Sequence, residues 1–200
     1  MTRVDFLRHG ETEAGDRLLG RTDAPLSAAG RKAVAGQLAG TRWPVIVSSP
    51  LTRARETAEI ATERSAKTFE VDPDWREMDF GGWDGHLKQE LAADPRFAAF
   101  YRDPETSPPP NGETADAVRA RVKSALERVA ARDETPVLVI AHGGTIRMAL
   151  AILLGLPLDR LWAIRIGCAT RVGVEIGVHP EHGLWGEIVE IVQPNEERAP

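Results

Sequence analysis

At 200 residues, with 42% apolar and 28% charged side chains, the chain can bury a full core and has the balance of a globular domain, not of a disordered or membrane-spanning one. A net charge of −5 gives it no bulk attraction to nucleic acid or an anionic membrane, so a polyanionic ligand has to be met by a local basic pocket. Cys168 stands alone, which excludes an internal disulfide framework and a cysteine-cluster metal site and suits a reducing compartment.

The start, Met1-Thr2-Arg3-Val4-Asp5, lacks the basic and apolar regions of a secretory signal, and the apolar run from Met148 to Leu154 is too short to span a bilayer. A cytoplasmic location is the expectation by default. Val4-Asp5-Phe6-Leu7 reads as a strand running into Arg8-His9-Gly10, and residues 15–25 read as a loop. Ser27 is placed to cap a helix whose face is Ala33, Val34 and Leu38. After Pro44, Val45-Ile46-Val47 reads as a buried strand ending at Ser48-Ser49-Pro50. A helix over 52–63 follows, packed through Ala54, Ala58 and Ala61.

Residues 72–111 hold most of the aromatic side chains and are expected to be irregular, closing on the rigid turn Pro108-Pro109-Pro110-Asn111-Gly112. Thr114 then caps the clearest helix, with the face Val118, Val122, Ala125, Leu126 and Val129. Pro136 opens the strand Val137-Leu138-Val139-Ile140-Ala141, which reaches His142-Gly143-Gly144 and a helix through Leu154, stopped by Gly155-Leu156-Pro157. Strands are expected around Ile164, over 172–176 and over 184–192, with a frayed tail over 193–200. Strands alternating with helices predict one α/β domain over 1–200, a three-layer α/β/α sandwich with a mostly parallel central sheet.

In such sheets ligands bind beyond the carboxyl ends of the strands, and Arg8-His9, Ser48-Ser49 and His142 each follow a buried strand. Transfer of a phosphoryl group needs cations around its oxygens, an in-line nucleophile and a proton donor for the leaving oxygen. His9 suits the nucleophile, since neutral imidazole is competent near neutral pH. Arg8 and Arg53 can fork onto phosphate oxygens, and His142, if protonated, adds a donor at a helix start. Glu77, in an aromatic stretch, is the first choice as proton donor, with Asp79 and Asp84 as competitors.

The run Leu7-Arg8-His9-Gly10-Glu11-Thr12 resembles the signature of the histidine phosphatase (phosphoglycerate mutase-like) superfamily. Later blocks resemble that family in the same order: Asp23-Ala24-Pro25-Leu26-Ser27 with Gly30, Ser48 through Ala58, Glu77 through Gly85, Asn111-Gly112-Glu113-Thr114, and Ala141-His142-Gly143-Gly144-Thr145-Ile146-Arg147. The resemblance implies a phosphoglycerate mutase-like fold and a phosphohistidine on His9. It implies phosphate held by Arg8, Arg53 and His142, further contacts from Thr12 and the Gly143 amide, and Glu77 as acid and then base. It implies no metal and no cofactor. Where many members carry Asn, this chain has Gly15, which removes a phosphate-contacting amide.

The Gly20-Arg21 loop, Gly143 through Arg147, Leu154-Gly155-Leu156-Pro157 and Leu161 through Ile166 resemble the α-ribazole phosphatases of cobalamin biosynthesis, and Arg21 is taken as a substrate contact on that ground. A phosphoglycerate mutase, a broad-specificity sugar-phosphate phosphatase and a phospho-ligand binding protein are the alternatives. The expected partner is a small phosphate ester, with neither nucleic acid nor membrane, and the protein is expected as monomer or homodimer. His179-Pro180-Glu181-His182 reads as a hairpin turn, not a metal pair. Gly15 through Thr22 imitates a P-loop, but no strand leads into it. Arg55 reads as a surface charge, and Trp83 and Trp162 as core or pocket wall.

Overall fold

The computed structural model describes residues 1–65, 68–181 and 183–194. Its centre is a six-stranded sheet in the order β3-β2-β4-β1-β5-β6. β1 (Thr2–Arg8), β2 (Val45–Ser48), β3 (Glu70–Val71) and β4 (Val137–Ala141) run parallel. The hairpin of β5 (Arg171–His179) and β6 (Gly183–Val192) completes the other edge antiparallel to β1.

Strand alternation sends side chains to opposite faces, and both faces of the central strands are apolar. Val4, Phe6, Val137, Val139 and Ala141 pack with the buried stripe of α5 (Ala115–Ala130) and with α6 (Gly143–Leu154). Leu7, Leu138 and Ile140 pack on the opposite side with Val34 and Leu38 near α1 (Ala28–Gln37) and with Ala54 and Ala58 of α2 (Thr52–Ser65). The expected caps are formed: Ser27 accepts from the Gly30 amide and Thr114 from the Ala117 amide, while Gly155 ends α6 in the left-handed conformation, φ 64°.

Register places the site. Arg8 pairs with Ala141, and Ser48 with Ile140, so β1, β2 and β4 end level with one another. His9, Ser49 and His142 therefore emerge side by side at one edge. The turn after β1 also passes unusually close to α1: a Cβ on Gly10 would lie 2.4 Å from the Gly30 carbonyl oxygen, and one on Gly30 2.2 Å from that of Glu11.

Two expectations need correcting. The stretch expected to be irregular carries α3 (Lys88–Leu91) and α4 (Pro95–Arg102). The Asp94 side chain caps α4 by accepting from the Arg96 amide, Pro95 occupies its first turn, and Phe97 and Phe100 bury against Trp83 at ring separations of 5.3 and 5.9 Å. The strand expected around Ile164 does not form: Leu158–Ala163 is a 3₁₀ turn, and the carbonyls of Ile164 and Ile166 accept from the side chains of Arg147 and Arg8 instead of a neighbouring strand. His182, and residues 195–200 of the tail, lie outside the described residues. Among the described residues no helix is long and apolar enough to cross a membrane.

Because the Gly10–Gly30 contact is backbone against backbone, neither side can yield by a rotamer change. Gly30→Ala is expected to lower unfolding free energy by about 1–3 kcal/mol in chemical denaturation. An unchanged midpoint would show that the turn can relax.

Candidate active site

His9 follows β1 directly. Its amide donates to Ala141 O at 3.2 Å, and its carbonyl accepts from the Ala169 amide at 3.0 Å. Its ring Nδ1 lies 2.7 Å from Gly10 O. A carbonyl only accepts, so Nδ1 carries the hydrogen and Nε2 holds the lone pair. The ring is buried but reaches the wall of a cavity of about 600 Å³.

The His142 ring lies 5.1 Å from that of His9, centroid to centroid, fully buried behind it at the start of α6. Its Nε2 is 2.7 Å from Ser49 Oγ. Ser49 Oγ also accepts from the Leu51 amide at 3.3 Å, and among the described residues His142 Nε2 is the acceptor within reach of its hydroxyl hydrogen. The hydrogen of neutral His142 is then on Nδ1, and Nδ1 is buried without a partner.

Arg8 donates from Nη1 to Ile166 O at 2.8 Å, while its Nε is buried and unpartnered. Arg53 is fully buried behind the wall. Its Nη1 donates to Thr22 O at 3.0 Å and its Nη2 to the Leu19 and Gly20 carbonyls at 3.0 and 3.2 Å, again leaving Nε buried and unpartnered. Asp23 is 3.9 Å from Arg53 Nη1, at the limit of an ion pair.

Burial first, then the charges of Arg8 and Arg53, hold the His9 pKa well below the ordinary imidazole value. His142 is lowered in the same way, by burial first and then by Arg53, His9 and Arg8. Both rings are therefore neutral at pH 7, so the donor that His142 offers is a neutral N–H and does not depend on its protonation.

Glu77 stands on the cavity wall, its Oε1 accepting from the Met78 amide at 2.9 Å and its Oε2 from the Gly144 amide at 3.0 Å. The competing carboxylates point elsewhere. Asp84 accepts from the Gly20 and Thr22 amides at 2.6 and 2.7 Å, and Asp79 from the Gly81 amide at 2.9 Å. Arg21 does not join the cavity. It is 79% exposed at its side chain and paired with Asp79 at 2.8 Å, because a loop-tip guanidinium takes the nearest carboxylate. Arg8, His9, Thr12, Glu77 and Gly143 thus share the wall, with Arg53 and His142 directly behind it.

Residues 4–182 match the sequence pattern of the histidine phosphatase superfamily (branch 1). The chain belongs to that superfamily. It is 36% identical to a glucosyl-3-phosphoglycerate phosphatase of Mycolicibacterium vanbaalenii over 88% of this chain and 84% of that protein. It is 28% identical to an adenosylcobalamin/alpha-ribazole phosphatase of Escherichia coli over 86% and 90% of the two chains. The solved mycobacterial glucosyl-3-phosphoglycerate phosphatase in complex with VO3 superposes with a TM-score of 0.84 at 29% identity, covering 95% of this chain and 98% of that one. These relatives are phosphatases, and this chain is a phosphomonoester hydrolase of the same superfamily.

Parts of this histidine phosphatase were not evident beforehand. Arg121, buried in α5, donates to the Asp74 and Arg76 carbonyls at 2.7 Å each and to Glu113 at 2.7 Å, which anchors the segment that carries Glu77. Its signal was a charge set among the apolar positions 118, 122 and 125. Arg17, Tyr101 and Arg147 line the cavity, and only their fold neighbours reveal it. Gly15, also on the wall, has φ 64°, a conformation that Gly and Asn tolerate best.

The histidine ionisations are directly measurable. In ¹⁵N NMR titrations of the free protein both rings are expected to protonate well below pH 6.5, with Nδ1–H the neutral tautomer in each. Arg8→Gln should raise the His9 midpoint, since removing a nearby positive charge favours imidazolium. A midpoint at or above 6.5 for either ring would contradict the burial argument.

Proposed function

We propose that this phosphatase hydrolyses small phosphate monoesters through a phosphohistidine on His9, without a metal. The observation that carries the reading is the set of buried donors without partners around His9: Arg8 Nε, Arg53 Nε and His142 Nδ1. Buried polar groups are normally bonded, and unpaired ones cost free energy. A phosphate dianion would satisfy all of them.

The lone pair of His9 Nε2 attacks phosphorus in line with the ester oxygen. Arg8, Arg53, His142, the Gly143 amide and Thr12 hold the other phosphate oxygens, and helix α6 presents its positive end to them. The P–O bond breaks, and the leaving oxygen takes a proton from Glu77. Each Glu77 oxygen accepts one backbone N–H and keeps a further lone pair on which that proton can sit. Water then loses a proton to Glu77 and attacks the phosphohistidine, releasing phosphate and restoring His9.

For the leaving group, a phosphoglycerate-type ester ranks first, supported by the higher identity to the glucosyl-3-phosphoglycerate phosphatase. α-Ribazole 5′-phosphate, or the corresponding cobalamin phosphate, ranks second, supported by the motifs at 143–147 and 161–166 and by the Escherichia coli relative.

Brief reaction with a ³²P-labelled ester and an alkaline quench should leave an acid-labile, base-stable label that His9→Ala lacks. Turnover without any such label would remove the covalent mechanism. Glu77→Gln is expected to reduce kcat about 10²–10⁴-fold on alkyl phosphates. The loss should be much smaller on p-nitrophenyl phosphate, whose leaving group needs no proton; equal losses would point to a binding role. Activity should persist in EDTA, and its abolition with recovery on adding a divalent cation would contradict the metal-free step.

A further inference from the structure

We infer that Arg147 and Tyr101 form a second anion subsite, which selects esters carrying a carboxylate on the leaving group. This inference rests on the phosphatase reading above and concerns the part of the same cavity beside the phosphate donors.

Arg147 lies one turn into α6, and both it and Tyr101 line the cavity. The place where a Cβ on Gly143 would sit is 3.1 Å from Arg147 Nη1 and 3.5 Å from Arg8 Cζ, so the two guanidinium groups flank Gly143 as neighbours. Like charges this close repel; among the described residues neither has a carboxylate within ion-pair distance, and Glu77 acts on Arg147 only from further away. Arg147 bonds to carbonyls alone, through Nε to Ile164 at 3.3 Å and through Nη1 to Gly143 at 3.1 Å. Among the described residues Nη2 makes no hydrogen bond, and it is not sealed from solvent.

The guanidinium is also held in place. Its Cζ lies 5.2 Å from the centroid of Trp162, and the Trp162 ring meets that of Tyr101 at 4.5 Å, tilted by 42°. A cation fixed by an aromatic ring and two carbonyls has lost its side-chain entropy before a ligand arrives. The Tyr101 hydroxyl likewise makes no hydrogen bond within the described residues, and burial raises its pKa, so it stays a neutral O–H donor. One guanidinium nitrogen and one phenol, near enough that each shifts the ionisation of the other, therefore lack a partner among the described residues, beside donors that already suffice for phosphate. A carboxylate accepts from both. A nucleoside leaving group with no second anion would leave Arg147 unneutralised.

The test compares two esters of one configuration: 3-phosphoglycerate, and the glycerol phosphate in which hydroxymethyl replaces its carboxylate. Wild type is expected to favour the carboxylate in kcat/KM by about tenfold or more, the usual effect of a charged hydrogen bond. Arg147→Gln should bring that ratio towards parity, mainly through KM, and Tyr101→Phe should lower it partway. The Phe variant keeps the ring packing, so it reports even if the Gln variant fails to fold. A wild-type ratio near one, with clear turnover of both esters, would overturn the subsite and leave the phosphatase reading intact. So would a fall in both esters by the same factor in Arg147→Gln, which would place that residue on the phosphate or in the wall. No phosphate release from either ester or from p-nitrophenyl phosphate by folded wild type would instead overturn the phosphatase reading.

Discussion

The site depends on keeping two imidazoles neutral among guanidinium groups taken out of water. Burial and the charges of Arg8 and Arg53 both disfavour imidazolium, so His9 keeps its lone pair and His142 its single donor hydrogen. The arginines in turn need stabilising without being neutralised. Ion pairs with carboxylates would do it, but would cancel the field a phosphate is meant to meet. Here backbone carbonyls take that part: Ile166 for Arg8, and Leu19, Gly20 and Thr22 for Arg53. Carbonyl dipoles hold a guanidinium in position while leaving most of its charge for a ligand, Asp23 coming no nearer to Arg53 than 3.9 Å.

That arrangement constrains the rest of the chain. Carbonyls must arrive from the loop at 19–22 and from the turn at 164–166, which explains why these segments are irregular yet ordered. Arg53 can reach the first because α2 begins at the end of β2, and Arg8 the second because β5 returns beside β1. The Gly10–Gly30 crossing allows the turn after His9 to lie flat against α1. Glu77 belongs to no regular element, and Arg121 compensates by binding the backbone on its N-terminal side.

The cavity joins two unlike halves. One is the polar strand-end cluster, and the other an aromatic wall in which Phe80 and Trp162 both pack on Phe100 of α4 while Tyr101 meets Trp162. Arg147 stands at the seam. The chemistry of the first half follows from phosphate alone, so differences in leaving group have to be read by the second.

Much was legible in the sequence because its causes are local. Apolar runs set the strands β1, β2 and β4, caps at Ser27 and Thr114 set helix starts, and the residue after each strand marked His9 and His142. The short helices α3 and α4 were less visible because α3 buries one apolar residue, Leu91, and α4 buries two aromatic ones, Phe97 and Phe100, set against Trp83. Arg21 looked like a ligand contact by the resemblance of its loop to the α-ribazole phosphatases, yet its neighbour in space is Asp79. Tyr101, Arg121 and Arg147 gained their meaning only when register and packing brought distant segments together. Residue type and spacing by themselves determined which groups could carry the chemistry. Only the tertiary structure decided which donors lack a partner, because that depends on where every competing carboxylate and carbonyl comes to rest.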